Sequence, residues 1–225
     1  MGIILLDMLP KFNNLMIFFK LPDNFKMNLS ATLFCAGITI FYPIQKYYKP
    51  CMKKKCAVVG IGGLGHLAFI FLHKLGAYTA AFTTTEKKIE SIKQLGADEV
   101  IVSINEEEMK KVKGKFDLIL YTIPNVEEFE NYLATTAKKG TFALLGVGEN
   151  DYIKFNYFPL LKKEIKVAGS LVGPRGSINH IIEFCSDKDI FPICEEYDFE
   201  RLPEVFDKLE NGKPHFRCVL KVKEC

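Results

Sequence analysis

Short apolar runs alternate along this chain with longer stretches in which apolar residues recur every three or four positions. The runs Cys56–Val59, Thr79–Phe82, Glu99–Ser103, Phe116–Tyr121, Thr141–Leu145, Ile165–Ser170 and Ile193–Tyr197 read as strands of one sheet. Between them, Leu64 to about Leu75, Glu86–Leu95, Glu106–Lys111, Asn125–Thr136 and Ser177–Cys185 read as helices. Val126, Phe129, Tyr132 and Leu133 form the apolar face of the fourth, and Gly96 is a stop signal for the second. A strand about every 20–25 residues with a helix between requires right-handed crossovers. The fold class expected is α/β, a doubly wound parallel sheet with helices on both faces.

The flanks are less regular. Leu15–Leu21 reads as an extended piece, and Met27–Tyr48 as helices with Asn28 or Ser30 as a cap. The second of these helices is predicted to begin near Thr39, which puts Pro43 in an early turn. Lys138–Gly140 reads as a turn, and Asp151–Leu161 as aromatic and irregular. Leu202–Leu209 reads as a helix closed by Asn211 and Gly212, and Phe216–Val222 as a final strand.

One stretch carries chemistry. Cys56–Thr85 reads strand, glycine turn, helix, strand, with Gly60, Gly62 and Gly65 in the turn as G-x-G-x-x-G. A strand running into glycines and then a helix brings backbone N–H groups and a positive helix end to one point, where a diphosphate can sit. The fold is thus a Rossmann-type sheet, whose ligand lies beyond the carboxyl ends of the strands. Gly60, Gly62, Gly63 and Gly65 are expected to hold the diphosphate, and Thr83, Thr84 and Thr85 to lie by the adenosine ribose. Hydroxyls followed by Lys87 and Lys88 suit a 2′-phosphate, so NADP(H) is favoured over NAD. Glu86 argues the other way unless it caps the next helix, and the two lysines also suit a solvated helix face. Gly146–Gly148 and Ser170–Gly173 are expected to face the nicotinamide end. Arg175 and Arg217 are either cofactor partners or surface charges.

Composition bounds this picture. At 225 residues the chain can bury one domain and part of another, and 48% hydrophobic with 25% charged residues is ordinary for a globular protein. A net charge of +3 is too small to imply nucleic acid. Seven irregularly spaced cysteines fit reduced thiols, and a cytoplasmic location is expected. The apolar start is interrupted by Asp7, Pro10, Lys11 and Lys20, so neither a membrane span nor a signal peptide is read there. Of His66, His73, His180 and His215, His66 alone falls near the expected cofactor, and no C-x-x-C pair suggests a structural zinc.

Cys35-Ala-Gly-Ile-Thr39, Val58–His66, Gly76-Ala77, Leu95–Glu99, Ala168–Leu171 and Tyr197–Val222 together resemble the cofactor-binding half of the zinc-dependent medium-chain alcohol dehydrogenases, in particular the cinnamyl alcohol dehydrogenase-like branch. The resemblance runs from about Leu21 to Val222. It implies that Cys35 matches the last catalytic-zinc ligand and Thr39 a threonine beside the nicotinamide. It implies a diphosphate loop of Gly60, Ile61, Gly62, Gly63, Leu64 and Gly65 and 2′-phosphate selection by Thr84, Thr85 and Lys88, while Gly146, Val147 and Ser170 remain the nicotinamide-side candidates from the sheet reading. Arg217 matches a basic residue near the cofactor. The family's N-terminal catalytic domain has no counterpart here.

The expected organisation is therefore a remnant and linker in 1–28, a dinucleotide-binding domain in 29–197, and a returning helix and strand in 198–225. The activity implied is NADP(H)-dependent hydride transfer between nicotinamide and a primary alcohol or aldehyde, with zinc only if the missing domain is supplied. The alternative is a truncated NADP-binding module without catalytic activity. Family members pair their sheets through the strand near Ile165–Ser170, which implies a possible homodimer.

Overall fold

Strands that are apolar at consecutive positions can be covered on both faces only as the middle layer between helices, and the computed structural model has that architecture. It describes residues 3–6, 17–26, 30–124, 127–148, 152–211 and 214–222. The chain divides into one unit of residues 35–173 and a second made of 1–34 with 174–225.

In chain order, β1 (Ile3–Leu6) and β2 (Ile17–Lys20) pair antiparallel. A 3-10 turn at Ala31–Phe34 precedes helix α1 (Ala36–Tyr47). Then β3 (Lys55–Val59), α2 (Gly65–Lys74), β4 (Tyr78–Thr83), α3 (Ile89–Gln94), β5 (Glu99–Val102), α4 (Glu106–Lys111) and β6 (Phe116–Tyr121) alternate. Next come α5 (Phe129–Leu133), β7 (Thr136–Leu144), α6 (Phe158–Lys163) and β8 (Lys166–Gly169). The chain closes with α7 (Gly176–Asp187), β9 (Cys194–Asp198), α8 (Leu202–Glu210) and β10 (Arg217–Lys221).

In the unit 35–173 six strands form one parallel sheet in the order β5-β4-β3-β6-β7-β8. The chain leaves β3 toward β4 and β5, then returns to lay β6 on the other side of β3. That reversal makes the topological switch point fall between β3 and β6, where a doubly wound sheet opens a crevice at its carboxyl edge. Successive side chains of a strand face opposite layers. Ala57, Val59, Ala80, Phe82, Ile119, Tyr121 and Phe142 thus meet Met109 of α4 and Phe129, Tyr132 and Leu133 of α5. The intervening residues Val58, Ala81, Leu118 and Leu120 are also fully buried, and α2 packs on the sheet at β3 and β4. Phe71 of α2 stands edge-on to Phe41 of α1 at 5.9 Å.

Some predicted boundaries change. Helix α1 starts at Ala36 rather than near Thr39, because the Thr39 N–H and hydroxyl both donate to the Cys35 carbonyl, at 3.1 and 2.8 Å. Pro43 is therefore inside the helix, where its missing N–H leaves one backbone bond unmade. The predicted helix to Thr136 stops at Leu133, since Thr136 already pairs with Phe116 and opens β7. Asn125 and Val126 lie outside the described residues. Lys138–Gly140 is an excursion within β7, where the register shifts and Lys139 adopts φ +63°. In the stretch read as irregular, Phe158–Lys163 forms α6, with Pro159 in its first turn. Asn28, one of the two proposed caps, also lies outside the described residues.

The second unit corrects the reading of Ile193–Tyr197 as a strand of the main sheet. Residues Cys194–Asp198 pair instead with β10, in a separate two-stranded parallel sheet. Glu195 ties this sheet to α8. Its carboxylate accepts from the Lys208 ammonium, from the Tyr197 hydroxyl at 2.5 Å and from the His215 N–H at 2.6 Å. These donors, Lys208 first, lower its pKa from the ordinary 4.5 to about 2. A carboxyl depressed on folding stabilises fully above its unfolded pKa and loses that contribution as pH falls through the folded one. Glu195→Gln is expected to be less stable than the parent at neutral pH, the gap closing between pH about 4.5 and about 2. Urea unfolding at stepped pH checks this; a gap that does not narrow on acidification contradicts it.

Candidate functional site

The three motif glycines occupy three different steric situations at the end of β3. Gly60 has φ +89°, and a Cβ there would lie 2.3 Å from Ile123 Cγ2 and 3.0 Å from Thr122 Oγ1. A Cβ on Gly65 would lie 1.9 Å from the Gly60 carbonyl oxygen, so only glycine lets α2 start this close to the strand. Around Gly62 nothing lies within 4 Å of a Cβ position. These are the tight turn, the close helix packing and the open approach that a diphosphate loop requires.

Side chains hold this turn from two directions. Thr122, immediately after β6, shares its hydroxyl between the carbonyls of Val59 (2.8 Å) and Gly60 (3.0 Å). His66, fully buried in the first turn of α2, has Nδ1 3.1 Å from the Gly62 carbonyl, which also accepts the His66 N–H. Among the described residues no backbone acceptor meets the N–H groups of Ile61 or Gly62. Oriented backbone donors, open space and a helix start fit the diphosphate of a dinucleotide.

At the end of β4 the three threonines differ. Thr83 is buried and uses its hydroxyl within the turn, donating to the Thr85 carbonyl and accepting from the Thr85 N–H. It shapes the turn. Thr85 accepts from the Lys87 N–H as the cap of the 3-10 segment Glu86–Lys88. Thr84, Glu86, Lys87 and Lys88 are exposed.

Across the switch point, the loop after β7 lies on Ile123 and Pro124. A Cβ on Gly146 would sit 2.2 Å from the Ile123 carbonyl oxygen, and one on Gly148 2.4 Å from that of Pro124. These two glycines are required by loop packing. Val147 between them is 73% exposed. Sequence reasoning missed Thr122, Ile123 and Pro124, on which Gly60, Gly146 and Gly148 all close. The available signal was a threonine directly after an apolar strand, with a proline two residues on.

Ser170 directly follows β8, with its N–H on the Leu144 carbonyl at 3.0 Å and its hydroxyl buried without a partner among the described residues. Three residues later, a Cβ on Gly173 would meet Tyr42 and Ile38 of α1 at 2.8 and 2.9 Å. The structure thus brings the Ser170–Gly173 turn onto the helix that carries Thr39. Cys35 is exposed at the head of that helix. By contrast, burial pushes the Cys56 and Cys185 thiols up to about 12, which makes them inert packing groups. Arg175 and Arg217 belong to the other unit, where Arg217 opens β10 beside Cys194 and lines an apolar groove of about 330 Å³ with Val205, Leu209 and Leu220.

A catalytic zinc takes about three protein ligands and one open position. Among the described residues no three His, Cys, Asp or Glu side chains gather to hold a metal ion. Cys35 by itself does not make that donor set, so the described residues do not fit a catalytic zinc. No helix among the described residues is long and apolar enough to cross a membrane.

Comparison with known proteins agrees with the geometry. The chain is 38% identical over 202 residues to the aldehyde reductase AdhA of Synechocystis sp., covering 89% of this chain and 59% of that protein. It superposes on the acetophenone reductase of Geotrichum candidum, solved with NAD, at a TM-score of 0.79 and 25% identity, over 90% of this chain and 58% of that one. It superposes on the cinnamyl alcohol dehydrogenase of Helicobacter pylori, solved with NADP(H), at 0.73 and 27%, over 85% and 54%. The chain thus spans somewhat more than half the length of these relatives. The zinc-binding dehydrogenase family model matches residues 63–187, from within the glycine turn to the end of α7. With an α/β parallel sheet, a glycine turn built for a diphosphate and that match over more than half its length, the chain belongs to the zinc-binding dehydrogenase family.

Proposed function

We propose that this chain is an NADP(H)-binding module of the cinnamyl alcohol dehydrogenase-like branch, which does not transfer hydride by itself. The observation that carries the reading is the set of three glycine environments at Gly60, Gly62 and Gly65. The diphosphate lies on the N–H groups of Gly60–Gly65, with Ile61 and Leu64 flanking it. The nicotinamide end is directed toward Gly146, Val147 and Ser170. Thr39, on α1, is the candidate for a nicotinamide contact.

The choice of NADP(H) rests on the end of β4, since the two structural relatives above were solved with different dinucleotides. The exposed Thr84 hydroxyl and Lys88 ammonium, with Thr85 beside them, supply donors for a 2′-phosphate. Hydrogen bonds to a charged group contribute about 1.5–3 kcal/mol each. Lys88→Glu is therefore expected to lower the ratio of NADPH to NADH affinity by about 10- to 100-fold. Nicotinamide fluorescence titrations with both cofactors measure it, and an unchanged ratio removes Lys88 from the site.

A second reading keeps catalysis. The exposed Cys35 thiol at the head of α1, with Thr39 one turn along, supports a role as one zinc ligand when further ligands come from elsewhere. Incubating the chain alone with NADPH, zinc and a primary aldehyde tests whether it transfers hydride by itself. Cofactor oxidation no faster than the protein-free blank is expected of the binding module, and steady turnover overturns it.

A further inference from the structure

Backbone carbonyls repel a diphosphate as strongly as N–H groups attract it, so a loop that binds one must keep its carbonyls turned away. Glycine is the residue least able to do this by itself, because its backbone has the widest choice of conformations. The turn Gly60–Gly65 holds four glycines in six residues. Two side chains outside the motif counter that freedom.

We propose that Thr122 and His66 are paired positioning residues, which latch the carbonyls of the glycine turn and leave its N–H groups facing the ligand. Thr122 reaches across the switch point from the end of β6, and its hydroxyl is bound to the Val59 and Gly60 carbonyls at 2.8 and 3.0 Å. Its own N–H also donates to Val59, so the β3–β6 ladder continues directly into the latch. His66 works from the helix side. Its ring contact with the Gly62 carbonyl at 3.1 Å requires the proton on Nδ1, because a carbonyl oxygen only accepts. Within the turn, the latched carbonyls of Gly60 and Gly62 bracket Ile61, and the open approach lies at Gly62. Neither side chain is assigned ligand contact; each acts through the loop.

The inference deepens the dinucleotide reading and rests on it, but part of its test needs no ligand. Thr122→Val removes the hydroxyl at nearly constant shape, and Thr122→Ser keeps it. His66→Leu removes the ring donor, and His66→Asn retains a donor at the Nδ1 position. In the ligand-free chain, hydrogen exchange of the peptide spanning Gly60–His66 is expected to quicken about fivefold in Thr122→Val and His66→Leu, with the melting temperature lowered by only about 2–4 °C. NADPH affinity is expected to fall about fivefold in the same variants. Affinity for adenosine 2′-monophosphate, which has no diphosphate, is expected to stay the same. Thr122→Ser and His66→Asn restore parental values. Unchanged loop exchange in both depleted variants overturns the proposal, as does equal weakening of NADPH and adenosine 2′-monophosphate. If the parent binds no NADPH yet the depleted variants loosen the loop, the latch stands and the dinucleotide reading falls.

Discussion

Gly65→Ala abolishes dinucleotide binding and destabilises the chain by about 2–3 kcal/mol, the upper part of the range for overfilling a packed site. The added methyl would lie 1.9 Å from the Gly60 carbonyl oxygen and 3.0 Å from its carbon. Both are backbone atoms at the end of a central strand. They cannot rotate aside as a side chain does, so the start of α2 must lift off β3 and the turn opens. Gly62→Ala is the control that separates fold from function. Its methyl meets nothing within 4 Å, so the unfolding midpoint stays within error of the parent. It does stand where a phosphate must approach, and losing one charge-assisted hydrogen bond there weakens NADPH by about tenfold or more. Urea unfolding and NADPH titration of both variants check the pair. Equal stability losses would show that the two glycines do not differ as described.

Phe129→Ala has the largest expected effect on stability alone, about 3–5 kcal/mol. Phe129 is 1% exposed, and its ring lies 5.0 Å from Phe142, 5.1 Å from Phe155 and 5.9 Å from Tyr121. With Tyr132 and Leu133 it joins the short helix α5 to the sheet, meeting β6 and β7. Removing the ring leaves a cavity between rigid elements that cannot collapse, so the loss exceeds the transfer free energy of the side chain. Against a typical total of about 5–15 kcal/mol this is a large fraction. Phe129→Leu, which refills most of the space, is expected to cost less than about 1.5 kcal/mol. Denaturant midpoints at constant slope measure both.

The sheet was legible because its strands obey a local rule. Phe116–Tyr121 is apolar at nearly every position, and a segment of that kind is buried on both faces whatever its neighbours are. The glycine turn was legible because its spacing encodes three separate steric demands. What the sequence hid was decided by partners far along the chain. Cys194–Asp198 forms a strand as predicted, yet it carries Glu195 and Glu196 where the sheet strands are apolar and it pairs with Arg217–Lys221; no local pattern states which partner a strand takes. Helix α6 was hidden because Phe158 and Leu161 are 63% and 67% exposed, so its apolar residues do not mark a buried face. At the site, Gly146 and Gly148 read as ligand-facing glycines, and the structure supplies the packing reason in the Ile123 and Pro124 carbonyls. Thr122 escaped notice because one threonine after a strand is commonplace. Its meaning comes from the two carbonyls opposite.

The central claim is that the end of β3 is a dinucleotide site built for NADP(H). Titrating the full chain with NADPH while following nicotinamide fluorescence tests it most directly, with NADH run in parallel. The account predicts saturation at one NADPH per chain, with NADPH binding more tightly than NADH. No saturable binding of either cofactor would contradict the site, and tighter binding of NADH would contradict the assignment of Thr84 and Lys88.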